Sequence, residues 1–185
     1  MKINWFVGDI TDCTVDAIVN AANPTLLGGG GVDYAIHNAA GRSLKEACRA
    51  FPEIEPGIRC RVGRAMTTPG FDLMASFVIH TVGPIFPDGR DPHFAGEVKY
   101  ASIPEAEEAL ASCIRNCLLE ANSRHLLSIA FPAISCGNYG CSPITFGRVA
   151  RKILEGKKWG LDLVEIVLFS QEELNLFEAG WAGEA

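Results

Sequence analysis

Two amides and a carboxylate, Asn20, Asn23 and Asp33, bracket four consecutive glycines, Gly28 to Gly31. Glycine tolerates positive φ and lets a backbone approach a ligand closely. Placed just ahead of a helix, such a run aims free N–H groups and the positive end of the helix dipole at an anion. A flexible linker would have polar flanks. Here an apolar strand-like run, Ala17–Asn20, precedes the glycines and a helix-like run, Val32–Ala40, follows them. The stretch reads as an anion cradle. A carboxylate in the first helical turn suits the dipole on its own, so Asp33 need do no more than stabilise the helix. If phosphate shares that helix start, Asp33 must point at a different group, such as a sugar hydroxyl or a water. Asn23, across the loop, is a second hydrogen-bonding group for the same sugar.

A second segment, Phe131 to Leu154, repeats the plan of strand, glycine-bearing turn and helix. Two amide-lined loops facing each other would hold a diphosphate between them. Competing phosphate motifs fail: no GK[ST] is present, and position 33 is Asp where GxGxxG requires glycine.

The elements that must position these groups follow from periodicity. Ile3–Val7 reads as a first strand, and Asp9 just beyond it as a turn or cap residue. After the Val32–Ala40 helix, Ser43 with Glu46 three residues on forms a capping box for a helix through Ala50. Arg64–Thr68 and Phe77–Val82 are strands. Pro84 to Gly96, with three prolines, is a long surface loop, as readily a functional lid as a plain insertion. Ile103–Asn122 places Ala106, Ala109, Leu110, Cys113, Ile114, Cys117 and Leu118 on one helical stripe. Leu126–Phe131 and Leu163–Phe169 are strands, Ser142–Leu154 and Gln171–Ala179 helices. Strands alternating with helices predict a single α/β layered domain, 1–185, with a largely parallel sheet covered on both faces. Ligands in such folds bind beyond the carboxyl ends of the strands.

Composition narrows the function classes. With 185 residues, 48% of them hydrophobic and 21% charged, the chain has an ordinary globular balance. A net charge of −6 argues against a nucleic-acid or anionic-membrane surface, and any phosphate must be held mainly by backbone amides. Seven cysteines form no CxxC pair and no ligand spacing with the four histidines, which predicts reduced thiols in a reducing compartment and no metal site. No leader pattern and no apolar run of ~20 residues appear. A cytoplasmic, monomeric protein is expected.

The motifs together resemble a macrodomain of the MacroD type. They are Gly8-Asp9-Ile10-Thr11, Val15 to Asn23, Gly28 to Asp33 with Ala35-Ile36-His37, Val78 to Pro84, and Ala130 to Ser135 with Gly137, Tyr139 and Gly140. They run in family order and cover nearly the whole chain, out to Phe169. The resemblance implies a three-layer α/β/α sandwich on a six-stranded mixed sheet, with ADP-ribose in the cleft at the strand ends. It implies that Asp9 accepts from the adenine 6-amino group, that Ile10 adds a backbone amide, and that Phe169 stacks on adenine. Gly30, Gly31 and Val32 match the first diphosphate loop, and Asn20 and Ala22 are expected to bind substrate as well. Ser135, Cys136, Gly137, Asn138 and Tyr139 match the second, with Tyr139 near the distal ribose. Asn23 and Asp33 match the family's functional pair.

The implied activity is hydrolysis of ADP-ribosyl esters, on acidic side chains of mono-ADP-ribosylated proteins and on O-acetyl-ADP-ribose. It uses no cofactor and no metal, since the Cys- and His-containing insert of zinc-dependent relatives is absent. A non-catalytic ADP-ribose module and an ADP-ribose 1″-phosphate phosphatase are the alternatives. Retention of both Asn23 and Asp33 favours the enzyme. Four positions depart from the family pattern: Tyr34 beside Asp33, Asn38 in place of a frequent basic residue on the first helix, Cys136 and Asn138. Tyr34 either crowds the ribose or faces outward. His37 and His80, inside buried-looking runs, read as structural.

Overall fold

The computed structural model describes residues 1–183. Six strands, β1 (Lys2–Val7), β2 (Ala17–Ala22), β3 (Ala65–Pro69), β4 (Phe77–Val82), β5 (Ser128–Pro132) and β6 (Leu163–Leu168), form one sheet in the order β1-β6-β5-β2-β4-β3. All neighbours are parallel except the edge pair β3–β4. The helices are α1 (Gly31–Ala40), α2 (Arg42–Ala50), α3 (Ile103–Ser123), α4 (Pro143–Glu155) and α5 (Gln171–Ala182).

Strand side chains alternate between faces, and the burial pattern shows two cores. Ala17 and Val19 of β2 join Phe131, Ile166 and the stripes of α3, α4 and α5. Ile18 and Ala22 join Val78, Val167 and the inner faces of α1 and α2. The sheet is therefore the middle of three layers, and its central strands read as nearly continuous apolar runs because both faces are covered. Phe131, Phe146 and Phe177 anchor the larger core without exposure. Truncating one of them to alanine costs about 3–5 kcal/mol. Helices α4 and α5 cross at close range, and a Cβ on Gly180 would lie 2.0 Å from the Ile144 carbonyl oxygen.

One local expectation changes. Helix α2 starts at Arg42 directly after Gly41, without a side-chain cap, so Ser43 lies inside the first turn and no capping box forms. Gly41 at φ 79° lets α1 end and α2 begin on one residue, which leaves no room for a separate cap. The other elements fall within two residues of their predicted bounds, except that α5 runs three residues past Ala179 to Ala182.

Candidate functional site

A cleft of about 850 Å³ opens over the carboxyl ends of the parallel strands. Its lining includes Val7 and Gly8 after β1, Ala21 to Asn23 at β2, Gly83 after β4, Pro132 and Ala133 at β5, and Val167 to Phe169 at β6. This is where β2 carries neighbours on both sides and the strand order departs from chain order. The first glycine loop and the start of α1 form one wall, with Gly29 to Asp33 in the lining. Gly31 at φ 60° begins the helix, with no side chain over the amides. The second loop, Ser135 to Tyr139, forms the opposite wall. Ser135 holds φ 66°, an uncommon conformation for a residue with a Cβ. Its Oγ donates to the Pro84 carbonyl at 2.9 Å, and Gly83 must lack a Cβ because one would sit 2.3 Å from that Oγ.

Asn23 and Asp33 are brought together on either side of Gly29. A Cβ at Gly29 would stand 3.0 Å from Asp33 Oδ2 and 3.1 Å from Asn23 Nδ2. Asn23 first builds its own loop. Its Oδ1 accepts from Thr25 N and Thr25 Oγ1 at 3.0 and 2.6 Å, and its Nδ2 donates to the Gly28 carbonyl at 3.0 Å. One amide proton remains for a ligand. Asp33 is 2% exposed. Its Oδ1 accepts from Asn20 Nδ2 at 2.8 Å, and its Oδ2 has no hydrogen-bond partner. Burial pushes its carboxyl above the ordinary range, opposed by the Asn20 hydrogen bond and by His37, whose Nε2 lies 3.4 Å from Oδ1. Burial likewise pushes His37 down, against the pull of Asp33.

Asn20 occupies a different place from the one expected. It is fully buried and outside the cleft lining. Its Nδ2 donates to Asp33 and also faces His80 Nδ1 at 3.1 Å. An amide nitrogen can only donate, so His80 Nδ1 accepts and its Nε2 carries the proton toward Thr68 Oγ1 at 3.0 Å. Burial, with His37 adding to it, pushes His80 down to about 3, so the ring is neutral. Asn20 thus reaches a ligand only through Asp33.

His37, Cys48 and His80 each bring one ligand atom to within 4.8 Å of the others. Linear spacing could not show this grouping, because the three lie on α1, α2 and β4. As folded, both His80 nitrogens are engaged by Asn20 and Thr68, and burial pushes the Cys48 thiol up to about 12. Cys48 Sγ meets His80 Nε2 at 3.6 Å, whereas neither nitrogen of His37 has a hydrogen-bond partner. All seven cysteines are free.

The far end of the cleft carries Asp9, Ile10 and Phe169. Asp9 caps a single turn of 3-10 helix, its Oδ1 accepting from Thr11 N and Thr11 Oγ1, which leaves Oδ2 as its available acceptor. Phe169 is 91% exposed at the end of β6, an exposure that fits a stacking surface better than a core residue. Its N–H donates to Glu173 Oε2 at 2.6 Å.

Ala22, Gly30, Gly31, Val32, Cys136, Gly137, Asn138 and Tyr139 all line the cleft as well. Tyr34 faces outward, 64% exposed and outside the lining. Sequence reasoning missed Arg90 and Phe94 in the lining, and Glu97 just behind it. Only the length of the 84–96 loop hinted at them.

The comparisons agree with this geometry. A family model described as "Macro domain" matches residues 19–150. A macro domain-containing protein of Xanthomonas campestris is 48% identical over 159 residues, 86% of this chain and 80% of its own. A Salmonella typhimurium protein named O-acetyl-ADP-ribose deacetylase is 48% identical over 139 residues, 75% of this chain and 69% of its own. Among solved structures, the Oceanobacillus iheyensis macrodomain with ADP superposes with a TM-score of 0.82 at 38% identity, covering 97% of this chain and 90% of that one. A mutant of the same protein with ADPR gives 0.81 at 37% identity, covering 97% and 91%.

Proposed function

The chain belongs to the macro domain family, and from that premise we propose that it binds ADP-ribose and hydrolyses ADP-ribosyl esters. The substrates on this reading are mono-ADP-ribose on acidic protein side chains and O-acetyl-ADP-ribose. The observation that carries the reading is Asp33: a buried carboxylate at a helix start, held by one oxygen through Asn20 and with its other oxygen unpartnered beside the cleft.

The glycine loop and the second loop hold the diphosphate with backbone amides, as the acidic composition demands. Asp9 Oδ2 accepts from the adenine amino group, and Phe169 stacks on the base. Asn23 lends its remaining N–H to the distal ribose. Asp33 Oδ2 accepts a proton of the attacking water. Its raised affinity for protons makes it a better base than an exposed carboxylate. Water adds to the ester, the bond between the acyl group and the ribose oxygen breaks, and the ribose hydroxyl and a free carboxylate leave. Side chains carry the step without a metal. The seven free thiols fit a reducing, cytoplasmic setting. No helix among the described residues is long and apolar enough to cross a membrane.

The test follows release of ADP-ribose from a carboxylate-linked mono-ADP-ribosyl protein, and of acetate from O-acetyl-ADP-ribose, each with and without a chelator. Product from wild type, unchanged by chelator, is expected. A protein that binds ADP-ribose but releases nothing over hours is a binding module, and the hydrolase reading fails.

A further inference from the structure

The 84–96 loop is wired into the cleft through one residue. Glu97 has a fully buried side chain, and its two oxygens accept five hydrogen bonds. Oε1 takes Arg90 Nη2 at 2.6 Å and the Tyr139 hydroxyl at 2.5 Å. Oε2 takes Arg90 Nη1 at 3.0 Å and the backbone N–H groups of His93 and Phe94 at 2.7 and 3.1 Å. The Arg90 guanidinium lies over the Tyr139 ring, 5.0 Å from its centroid. Arg90 and Phe94 line the cleft beside Tyr139, and Arg90 is the one Lys, Arg or His in that lining.

The backbone joins the same two segments. Phe86 N–H donates to the Tyr139 carbonyl at 2.7 Å and Arg90 N–H to the Asn138 carbonyl at 2.9 Å. Gly89 and Gly140 touch so closely that a Cβ on Gly140 would lie 2.5 Å from Gly89 N. Residues 86–97 and the second glycine loop therefore move as one body. A surface insertion has no need of a buried carboxylate with five donors, four of them drawn from its own loop and one from the ligand-facing ring of Tyr139.

We propose that Glu97 is a positioning residue for ADP-ribose. It fixes the Tyr139 ring, and with it Arg90 and the second loop, against the distal ribose, so that residues 86–97 form a wall of the site. The Tyr139 hydroxyl is spent on Glu97, so the ligand meets the ring and the adjoining backbone. This inference rests on the ADP-ribose reading above, and it concerns binding at the ribose end rather than the hydrolytic step.

The test compares affinities for ADP-ribose and ADP by calorimetry, because ADP lacks the distal ribose. Tyr139→Phe removes only a hydroxyl and keeps the ring, so it stays folded even if Glu97→Gln does not. Each substitution is expected to lower the ratio of ADP-ribose to ADP affinity by ~5-fold, a fraction of what a charge-assisted hydrogen bond is worth. ADP affinity, which shares the diphosphate contacts of the second loop, should fall less than ADP-ribose affinity, and the double variant should lose no more than Glu97→Gln alone. A ratio unchanged in Tyr139→Phe, or equal losses for both ligands, overturns the proposal. So does a wild type that binds ADP-ribose no better than ADP. Failure to hydrolyse, with the ratio still falling as expected, sinks only the hydrolase reading.

Discussion

Asp33 and Glu97 are both buried carboxylates at the cleft, 2% and 8% exposed, and the fold treats them in opposite ways. Glu97 receives five donors, one of them a bidentate Arg90. Burial alone would raise its carboxyl, but these hydrogen bonds overcome it and hold the group down to about 2. Asp33 receives one donor, and one oxygen is left without a partner. Burial wins there, and the carboxyl is held above its ordinary value. The difference is instructive. A fully satisfied carboxylate is a fastener, whereas one left half satisfied keeps a lone pair for a water or a substrate hydroxyl.

The largest effect expected from breaking this contrast is on catalysis at Asp33. Asp33→Ala should lower ester hydrolysis by ~10²–10⁴-fold, the usual span for losing a general base, while ADP-ribose binding persists. Loss of binding in step with rate would remove Asp33 from the chemistry. Glu97→Ala should act on stability instead. It leaves Arg90 Nη2 and the His93 and Phe94 N–H groups without their acceptor, at about 3 kcal/mol. Thermal melting should then fall by roughly 6–12 °C, and a fall below 2 °C would show the five hydrogen bonds to be slack.

The two groups should also titrate with opposite sign. Glu97 is depressed in the fold, so its contribution is complete above its usual 4.5 and is lost as pH falls toward about 2. Asp33 is raised, so the folded chain holds its proton more readily than the unfolded chain does. Stability therefore declines as pH climbs from the usual 3.8 through the raised folded value, over the same range in which the base becomes ionised and the rate increases. A pH–rate profile whose acid limb lies at an ordinary carboxylate value would contradict this.

Asp33→Asn sharpens the comparison further. It keeps an oxygen for Asn20 and removes the buried charge, so melting should rise by roughly 2–4 °C even as activity disappears. Smallest of all is Asp9→Ala. Its carboxylate is exposed and already shared with Thr11, so ADP-ribose affinity should fall only ~3–10-fold, about the worth of one hydrogen bond. Unchanged affinity in calorimetry would take Asp9 out of base recognition.

Much of this molecule is legible in its sequence. Strand and helix alternation, the buried stripe of α3 and the placement of four glycines at a helix start depend on neighbours within a few residues, which is the range over which periodicity and backbone rules act. The motif order extended that reading to a three-layer sandwich and to fourteen lining residues of the cleft. What the sequence could not decide was how distant polar groups pair. Asn20 stands next to Ala21 and Ala22 in the chain, yet pairing of β2 with β4 sets it against His80, and the pleat turns it under α1 onto Asp33. Ser43 had the right spacing for a cap, and the Gly41 junction denied it the position. Tyr34 could have faced either way until the rotation of α1 turned it outward. Glu97 and Tyr139 meet across 42 residues through a loop with no periodicity at all. Local propensity carries no information about such pairs, because their geometry is set by the packing of the two glycine loops against each other, and only the tertiary fold supplies that.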